Sequence, residues 1–354
     1  MEKVLYISVV SNIVGGGMAG LDRNYRVLSS LNNITLIDKR VSLQSTKDAV
    51  ISLFSGGNFN LSRKSHNEII NTIKKDAIDT VFIESTLAGS LVKAISKYGV
   101  RTIVFAHNVE SVLYEERFFS SKSIVDWAKM KLVKWNEKKS IDYAETVVSL
   151  TDRDSNELEK RYGRRADMLI PVSFPSRYLK KVDKSNGLFC LFVGSDFFPN
   201  NEGISWFINN VMPFVNIELR VAGSCCRAIK SIPDSVQSRI KLLGIVDNLE
   251  ELYLDAAFVV APIFNGSGMK TKTIEALSYG KTIVGTDESF QGIECNYDCI
   301  GGLCNTDKEF IECINKIDRS RFNKSALDTF ENNYSDSRVS LLFSSLFDNT
   351  VIKI

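Results

Sequence analysis

The strongest constraint on this chain is a pattern that occurs twice. "VLYISVV" (Val4–Val10), "ITLI" (Ile34–Ile37), "TVFIES" (Thr80–Ser85), "RTIVFAH" (Arg101–His107) and "TVVSLT" (Thr146–Thr151) are short, β-branched and apolar along nearly their whole length. Strands with no polar face belong to a parallel sheet covered by helices on both sides. Helical patterns separate them, such as "TLAGSLVKAISKYG" (Thr86–Gly99) and "TDRDSNELEKRYG" (Thr151–Gly163), each closed by glycine. The series then restarts with "LFCLFVGS" (Leu188–Ser195), "IELRVAGS" (Ile217–Ser224), "IKLLG" (Ile240–Gly244), "AFVVAP" (Ala257–Pro262) and "KTIVGT" (Lys281–Thr286). The pattern predicts two doubly wound α/β domains facing each other across a cleft, with ligands at the strands' carboxyl ends.

The junction is "PVSFPSRYLKKVDKSNG" (Pro171–Gly187), which holds two of the six prolines and the basic residues Arg177, Lys180, Lys181 and Lys184. It reads as a linker. The expected division is an N-terminal domain over 1–175, a linker over 176–187 and a C-terminal domain over 188–335. A last helix over 336–354 is expected to pack back on the N-domain.

At 354 residues the chain has room for two such domains. A net charge of +2 gives no bulk field for nucleic acid. No apolar run is long enough to span a bilayer. "MEKVLYISVVSNIVGGG" lacks the basic start and small-residue cleavage site of a signal peptide, so a cytoplasmic location is expected. Seven scattered cysteines, Cys190, Cys225, Cys226, Cys295, Cys299, Cys304 and Cys313, include no CxxC pair, and His66 and His107 are the only histidines. A zinc site would have to use the Cys295–Cys304 cluster; reduced thiols and no metal are expected instead.

Chemistry concentrates in "FNGSGMKTKTIEALSYGKTIVG" (Phe264–Gly285). Glycines lead from a strand into a helix whose start carries Lys270 and Lys272. A helix N-terminus is already partly positive, and a cation there costs up to about 1 kcal/mol. Local rules are broken mainly at functional sites. An anion bound at the helix start, most plausibly a diphosphate, removes the conflict; the alternative is two solvated lysines on an exposed turn. A second glycine turn, Gly15, Gly16 and Gly17 after the first strand, lets backbone approach a ligand or is a plain tight turn. It is not GxGxxG, and Asp38 is a weak candidate for the ribose-binding acid of a dinucleotide site.

Over nearly its whole length the chain resembles the retaining GT-B glycosyltransferases of the "glycosyl transferases group 1" family. The resemblance rests on "LFVGSDFFPNNEGISWFINNVMP" (Leu191–Pro213), "APIFNGSGMKTKTIEALSYGKTIVGT" (Ala261–Thr286) and "FAHNVES" (Phe105–Ser111). It implies two Rossmann-like domains and a nucleoside-diphosphate sugar as donor, UDP-sugar first, with no cofactor or metal. By the same resemblance Glu275 takes the ribose hydroxyls. Gly266, Ser267, Gly268, Met269, Lys270, Thr271 and Lys272 hold the diphosphate, and the backbone at Ile245 and Val246 meets the base. Gly16 and Gly17 face the diphosphate from the N-domain, and His107 lies near the donor sugar.

Two departures stand out. Many relatives carry a second glutamate eight positions before the one matched by Glu275; here that position is Ser267. Many also carry an Arg and a Lys after the strand matched by "LFVGS", where "DFFPNNEG" supplies neither. The implied reaction is metal-independent transfer with retention, Lys270 and Lys272 stabilising the departing diphosphate and His107 positioning the sugar. The implied setting is bacterial-type cell-surface polysaccharide synthesis, of O-antigen or capsule kind, with a glycan or lipid-linked acceptor. A GT-B sugar-nucleotide epimerase and a catalytically silent partner in a polysaccharide assembly complex remain as alternatives. Finally, "FFSSKSIVDWAKMKLVKWNEKK" (Phe118–Lys139) mixes four aromatics with six lysines. It suits either a helix lying on the inner face of an anionic membrane or a solvated N-domain helix.

Overall fold

The computed structural model describes residues 1–10, 16–42, 61–177, 185, 187–266 and 268–348. The chain divides into two compact units, Met1–Pro171 together with the chain from Ser340 onward, and Val172–Val339.

The first unit is built on a six-stranded parallel sheet of β1 (Glu2–Val10), β2 (Ile34–Ser42), β3 (Thr80–Ile83), β4 (Arg101–Ala106), β5 (Thr146–Ser149) and β6 (Met168–Leu169). Its order is β2-β1-β3-β4-β5-β6. Val4–Ile7 and Ile103–Ala106 are buried at every position, so both sheet faces are covered, as the unbroken apolar runs require. β2 runs five residues beyond its apolar start, through Asp38, Lys39 and Arg40. There it carries the ion pairs Arg40–Asp38 and Lys39–Glu68. The last helix, Asp336–Ser345, enters this unit and places Phe343, fully buried, 6.2 Å from the rings of both Phe82 and Phe105.

The second unit repeats the plan with β7 (Phe189–Val193), β8 (Glu218–Ala222), β9 (Ile240–Gly244), β10 (Phe258–Ala261), β11 (Ile283–Gly285) and β12 (Gly301–Leu303). All pairs are parallel, in the order β12-β11-β10-β7-β8-β9. Chain order reverses between β7 and β10, and a doubly wound sheet opens a crevice at the carboxyl ends of two such strands.

Three local expectations change. β6 and β12 have two and three residues, too short for a hydrophobic pattern to show. The stretch Thr86–Gly99 is helical only over Gly89–Ile95, flanked by single tight turns. The stretch Phe118–Lys139 is not one helix: Glu110–Ser121 ends at Lys122, whose φ is 51°, and a second helix runs over Ile124–Tyr143 from a Ser123 cap. A residue in the left-handed region closes a helix.

Candidate functional site in the C-terminal unit

The segment between β10 and the helix Thr271–Ser278 forms one wall of the β7/β10 switch point. Gly266 and Gly268 have φ of 133° and 65°, conformations that a side chain resists, so they turn backbone toward the helix start. Ser267 lies outside the described residues. Lys270 is the N-cap residue, and no acidic residue stands in the first turn.

The two lysines are held differently. Lys270 Nζ lies 2.6 Å from Glu288 Oε1 and 3.1 Å from the Gly268 carbonyl. Lys272 Nζ donates to Asn200 Oδ1 at 2.5 Å and stands 4.5 Å over the Phe192 ring. Among the described residues no carboxylate pairs with Lys272. Burial, countered by Cys225 and reinforced by Lys270, pushes its ammonium down to about 7. Asn200 comes from the helix Phe198–Asn210, which follows β7. That helix approaches β10 so closely that a Cβ at Gly203 would lie 1.9 Å from the Pro262 carbonyl oxygen. "DFFPNNEG" therefore supplies the residue that aims Lys272, not a cation.

A bound diphosphate should return Lys272 to an ordinary ammonium, so binding should take up a proton. Affinity should fall as pH rises above about 7, while in the free protein the cost of burying this group is full below about 7 and is relieved as pH rises toward about 10, where only the unfolded chain stays protonated. Calorimetry in two buffers of different ionisation enthalpy reads the proton directly.

Glu275 lies one turn further along the helix. Tyr253 donates its hydroxyl to Glu275 Oε2 at 3.2 Å, and Arg177 Nη2 lies 3.9 Å from Oε1. Arg177 also stacks 4.0 Å over Tyr279, whose ring stacks on Tyr253 at 4.6 Å. Burial raises the Glu275 carboxyl, while Arg177 and the Tyr253 hydrogen bond counter it. In Glu275→Gln an amide oxygen remains to accept from the buried Tyr253 hydroxyl. Glu275→Gln is expected to weaken nucleotide-sugar binding about tenfold, the worth of one charged hydrogen bond, with little change in the unliganded melting temperature. Calorimetry and thermal unfolding read the two effects. Met269 is buried, its sulfur 3.4 Å from the Val172 N–H, and Thr271 begins the helix. Ile245 and Val246 follow β9 at the sheet edge; Ile245 is 66% exposed.

The N-terminal unit builds a polar cluster of its own. His107 follows β4, and its Nε2 is hydrogen-bonded to Glu84, which follows β3. Glu84 is buried and also accepts from the Tyr6 hydroxyl at 2.7 Å and from Asn24 Nδ2 at 3.2 Å. Glu110 opens the next helix; burial and Glu137 push its carboxyl up to about 7, countered by Asn108. Glu137 accepts from the backbone N–H of Glu110 and Ser111, from Thr86 and from Tyr162. Gly16 and Gly17 open the helix Gly16–Ser29, and residues 11–15 before it lie outside the described residues. Glu84 and Glu110 were not singled out from the sequence, where "TVFIES" and "NVES" read as a strand end and a loop.

The family model described as "Glycosyl transferases group 1" matches residues 188–317. An uncharacterized 44.6 kDa protein in the cps region of Klebsiella pneumoniae is 27% identical over 311 residues, covering 81% of this chain and 78% of that one. The sucrose-phosphate synthase of Thermosynechococcus elongatus superposes with a TM-score of 0.72 at 14% identity, covering 98% of each chain. Anabaena HepE, solved in complex with UDP and glucose, gives 0.69 at 11% identity, covering 99% of this chain and 100% of that one. The fold is the two-domain GT-B architecture of those structures, and the likeness to the glycosyl transferases group 1 model covers residues 188–317 of the C-terminal unit.

Proposed function

We propose that the enzyme moves a sugar from a nucleoside-diphosphate sugar, UDP-sugar first, to a glycan or lipid-linked acceptor in cell-surface polysaccharide synthesis. The carrying observation is Lys272, aimed by Asn200 at the start of the helix Thr271–Ser278 with no carboxylate partner among the described residues. A diphosphate supplies the missing anion. Glu275, behind it, offers a carboxylate to ribose hydroxyls. The cps region of the Klebsiella relative supports the polysaccharide setting, and HepE's complex with UDP supports the donor.

In this reading, charge that develops on the departing diphosphate is stabilised by Lys270, Lys272 and backbone N–H groups at the helix start, in place of a metal ion. The acceptor hydroxyl attacks on the face from which the diphosphate leaves, giving retention. In the N-terminal unit, Glu84 fixes the His107 ring. A thermal-shift screen of nucleotide sugars tests donor binding, since a ligand stabilises the state it binds. Turnover only with acceptor supports transfer. Donor turnover without acceptor turns the reading to an epimerase, and binding without turnover turns it to a silent partner.

No helix among the described residues is long and apolar enough to cross a membrane. We assign peripheral contact with the inner membrane face to the turn between the helices Glu110–Ser121 and Ile124–Tyr143. Phe119, Ile124, Val125 and Trp127 are exposed there, by 69%, 84%, 57% and 48%, beside Lys122, Lys129 and Lys131. The later lysines serve the fold: Lys134 pairs with Glu115, Lys138 with Asp142, and Lys139 lies over the Trp135 ring. Each lysine near an anionic surface contributes about 1 kcal/mol, screened by salt. Co-sedimentation with anionic but not neutral vesicles is expected, with release at high salt and loss on changing Lys122, Lys129 and Lys131 to Gln. A wild-type protein that stays in the supernatant at low salt returns the turn to an ordinary solvated surface.

A further inference from the structure

Two thiols meet at the β12 edge of the second sheet. Cys304 follows β12, and Cys313 lies in the helix Asp307–Lys316. A Cβ built on Gly302 would lie 2.6 Å from Cys313 Sγ and 3.9 Å from Cys304 Sγ, so the glycine leaves the gap in which both sulfurs sit. The Cys304 thiol donates toward Cys313. Both are held on rigid elements. The Cys304 N–H donates to the Gly285 carbonyl at 2.8 Å. The helix starts in a capping box, Thr306 with Glu309, and is anchored by the fully buried Phe310 and Ile314. Both cysteines are free thiols.

The two differ in access. Cys304 is buried in the core, whereas Cys313 is half-buried and lines a cavity of about 600 Å³ with Thr282, Cys299, Gly301, Phe322 and Asn323. That volume lies within the usual range of small-molecule sites, about 300–1,000 Å³. Thr282 and Gly301 stand at the amino ends of β11 and β12, the opposite end of the sheet from Lys270 and Lys272. The hydrogen bond from Cys304 holds the Cys313 thiol below the ordinary thiol range, against burial and Asp298 and with help from Lys316. Cys304 is held up by the same bond, by burial and by the charges of Cys313 and Glu309. The hydrogen of Cys313 itself reaches the Gly301 carbonyl at 4.0 Å, a weak bond that costs little to give up. A thiolate attacks a disulfide, and a second thiol beside it resolves the mixed disulfide that forms.

We infer that Cys304 and Cys313 are a redox-active pair: a low-molecular-weight disulfide enters the cavity, Cys313 attacks it, and Cys304 resolves the product to an intramolecular disulfide. In the first step Cys313 Sγ, as a thiolate, bonds to one sulfur of the small disulfide. The S–S bond of that molecule breaks, and its other half leaves as a thiolate with the electron pair. In the second step Cys304 Sγ bonds to Cys313 Sγ and expels the remaining half, which takes the Cys304 proton and leaves as a thiol. The protein pair is oxidised by two electrons and the small disulfide is reduced by them. The new bond joins the end of β12 to a helix whose Phe310 and Ile314 already share its core.

The test incubates the folded protein with glutathione disulfide, alkylates the remaining thiols and maps the products by mass spectrometry. In wild type, Cys304 and Cys313 should escape alkylation together and appear as a crosslinked peptide, and dithiothreitol should restore both thiols. Cys190, fully buried in the same core, should stay reduced, which shows that the folded protein has reacted. Cys304→Ser should stop one step earlier, as a glutathione mixed disulfide on Cys313. Cys313→Ser should leave Cys304 reduced. Gly302→Ala fills the gap between the sulfurs and should slow crosslinking about tenfold or more. Should Cys304→Ser fail to fold, Cys304→Ala, which puts no hydroxyl in the core, carries the same comparison. A wild type whose Cys304 and Cys313 stay reduced, or that takes glutathione on Cys299 alone, overturns the inference. So does a Gly302→Ala variant that crosslinks at the wild-type rate.

Discussion

Replacing Lys270 and Lys272 together by alanine is expected to weaken nucleoside-diphosphate binding at least about tenfold, or 1.4 kcal/mol, and to slow turnover about a hundredfold or more. Binding falls because two cations leave the helix start. On the proposed reaction turnover falls further, because a leaving diphosphate gains charge in the transition state. The single variants should be unequal. Lys272→Met removes a cation whose partners are an amide oxygen and a ring, so the unliganded protein should keep its stability. Lys270→Ala leaves Glu288 without the ammonium 2.6 Å away and should lower unliganded stability as well as binding. Calorimetry, steady-state kinetics and thermal unfolding of the three variants separate these effects. Unchanged diphosphate affinity in a folded double variant would return both lysines to ordinary solvation.

Glu84→Ala is expected to cost the N-terminal unit about 3 kcal/mol or more. Its carboxylate accepts from Tyr6, Asn24 and His107, and Tyr6, Asn24 and Glu84 itself are all buried. Each buried donor left without an acceptor costs about 1–3 kcal/mol. Urea unfolding should show the loss in the transition of that unit. Glu84→Gln keeps an acceptor oxygen and should lose less. If Glu84→Ala unfolds like wild type, water has taken over the carboxylate's place and the cluster is not what fixes His107.

The parts of this molecule that were legible from sequence are those whose cause is local. A buried parallel strand is apolar at consecutive positions, so Val4–Ile7, Ile103–Ala106 and Phe258–Ala261 announce themselves. Thr151 caps its helix through the N–H of Asp154, three residues away. Lys270 and Lys272 are conspicuous because they offend the helix that carries them. What escaped was non-local. Glu84 takes its meaning from Tyr6, 78 positions away, and Glu288 from Lys270, 18 positions away. Asn200 reaches Lys272 across 72 positions, only because Gly203 lets its helix press on Pro262. No periodicity encodes such pairs. Lys122 misled for another reason: the left-handed turn that splits two helices falls on a residue whose type favours continuing one.

Phe343 has a consequence for how the protein is made. During synthesis the sheet β1–β6 leaves the ribosome first, yet the ring that packs on Phe82 and Phe105 is encoded beyond the whole C-terminal unit. Of these two units, the one that emerges earlier is thus completed later, and until then its apolar face at Phe82 and Phe105 lacks the Phe343 ring. Translation stalled before Ser340 should leave a nascent N-terminal unit that binds hydrophobic dyes and yields readily to protease, beside a C-terminal unit already closed on its own core.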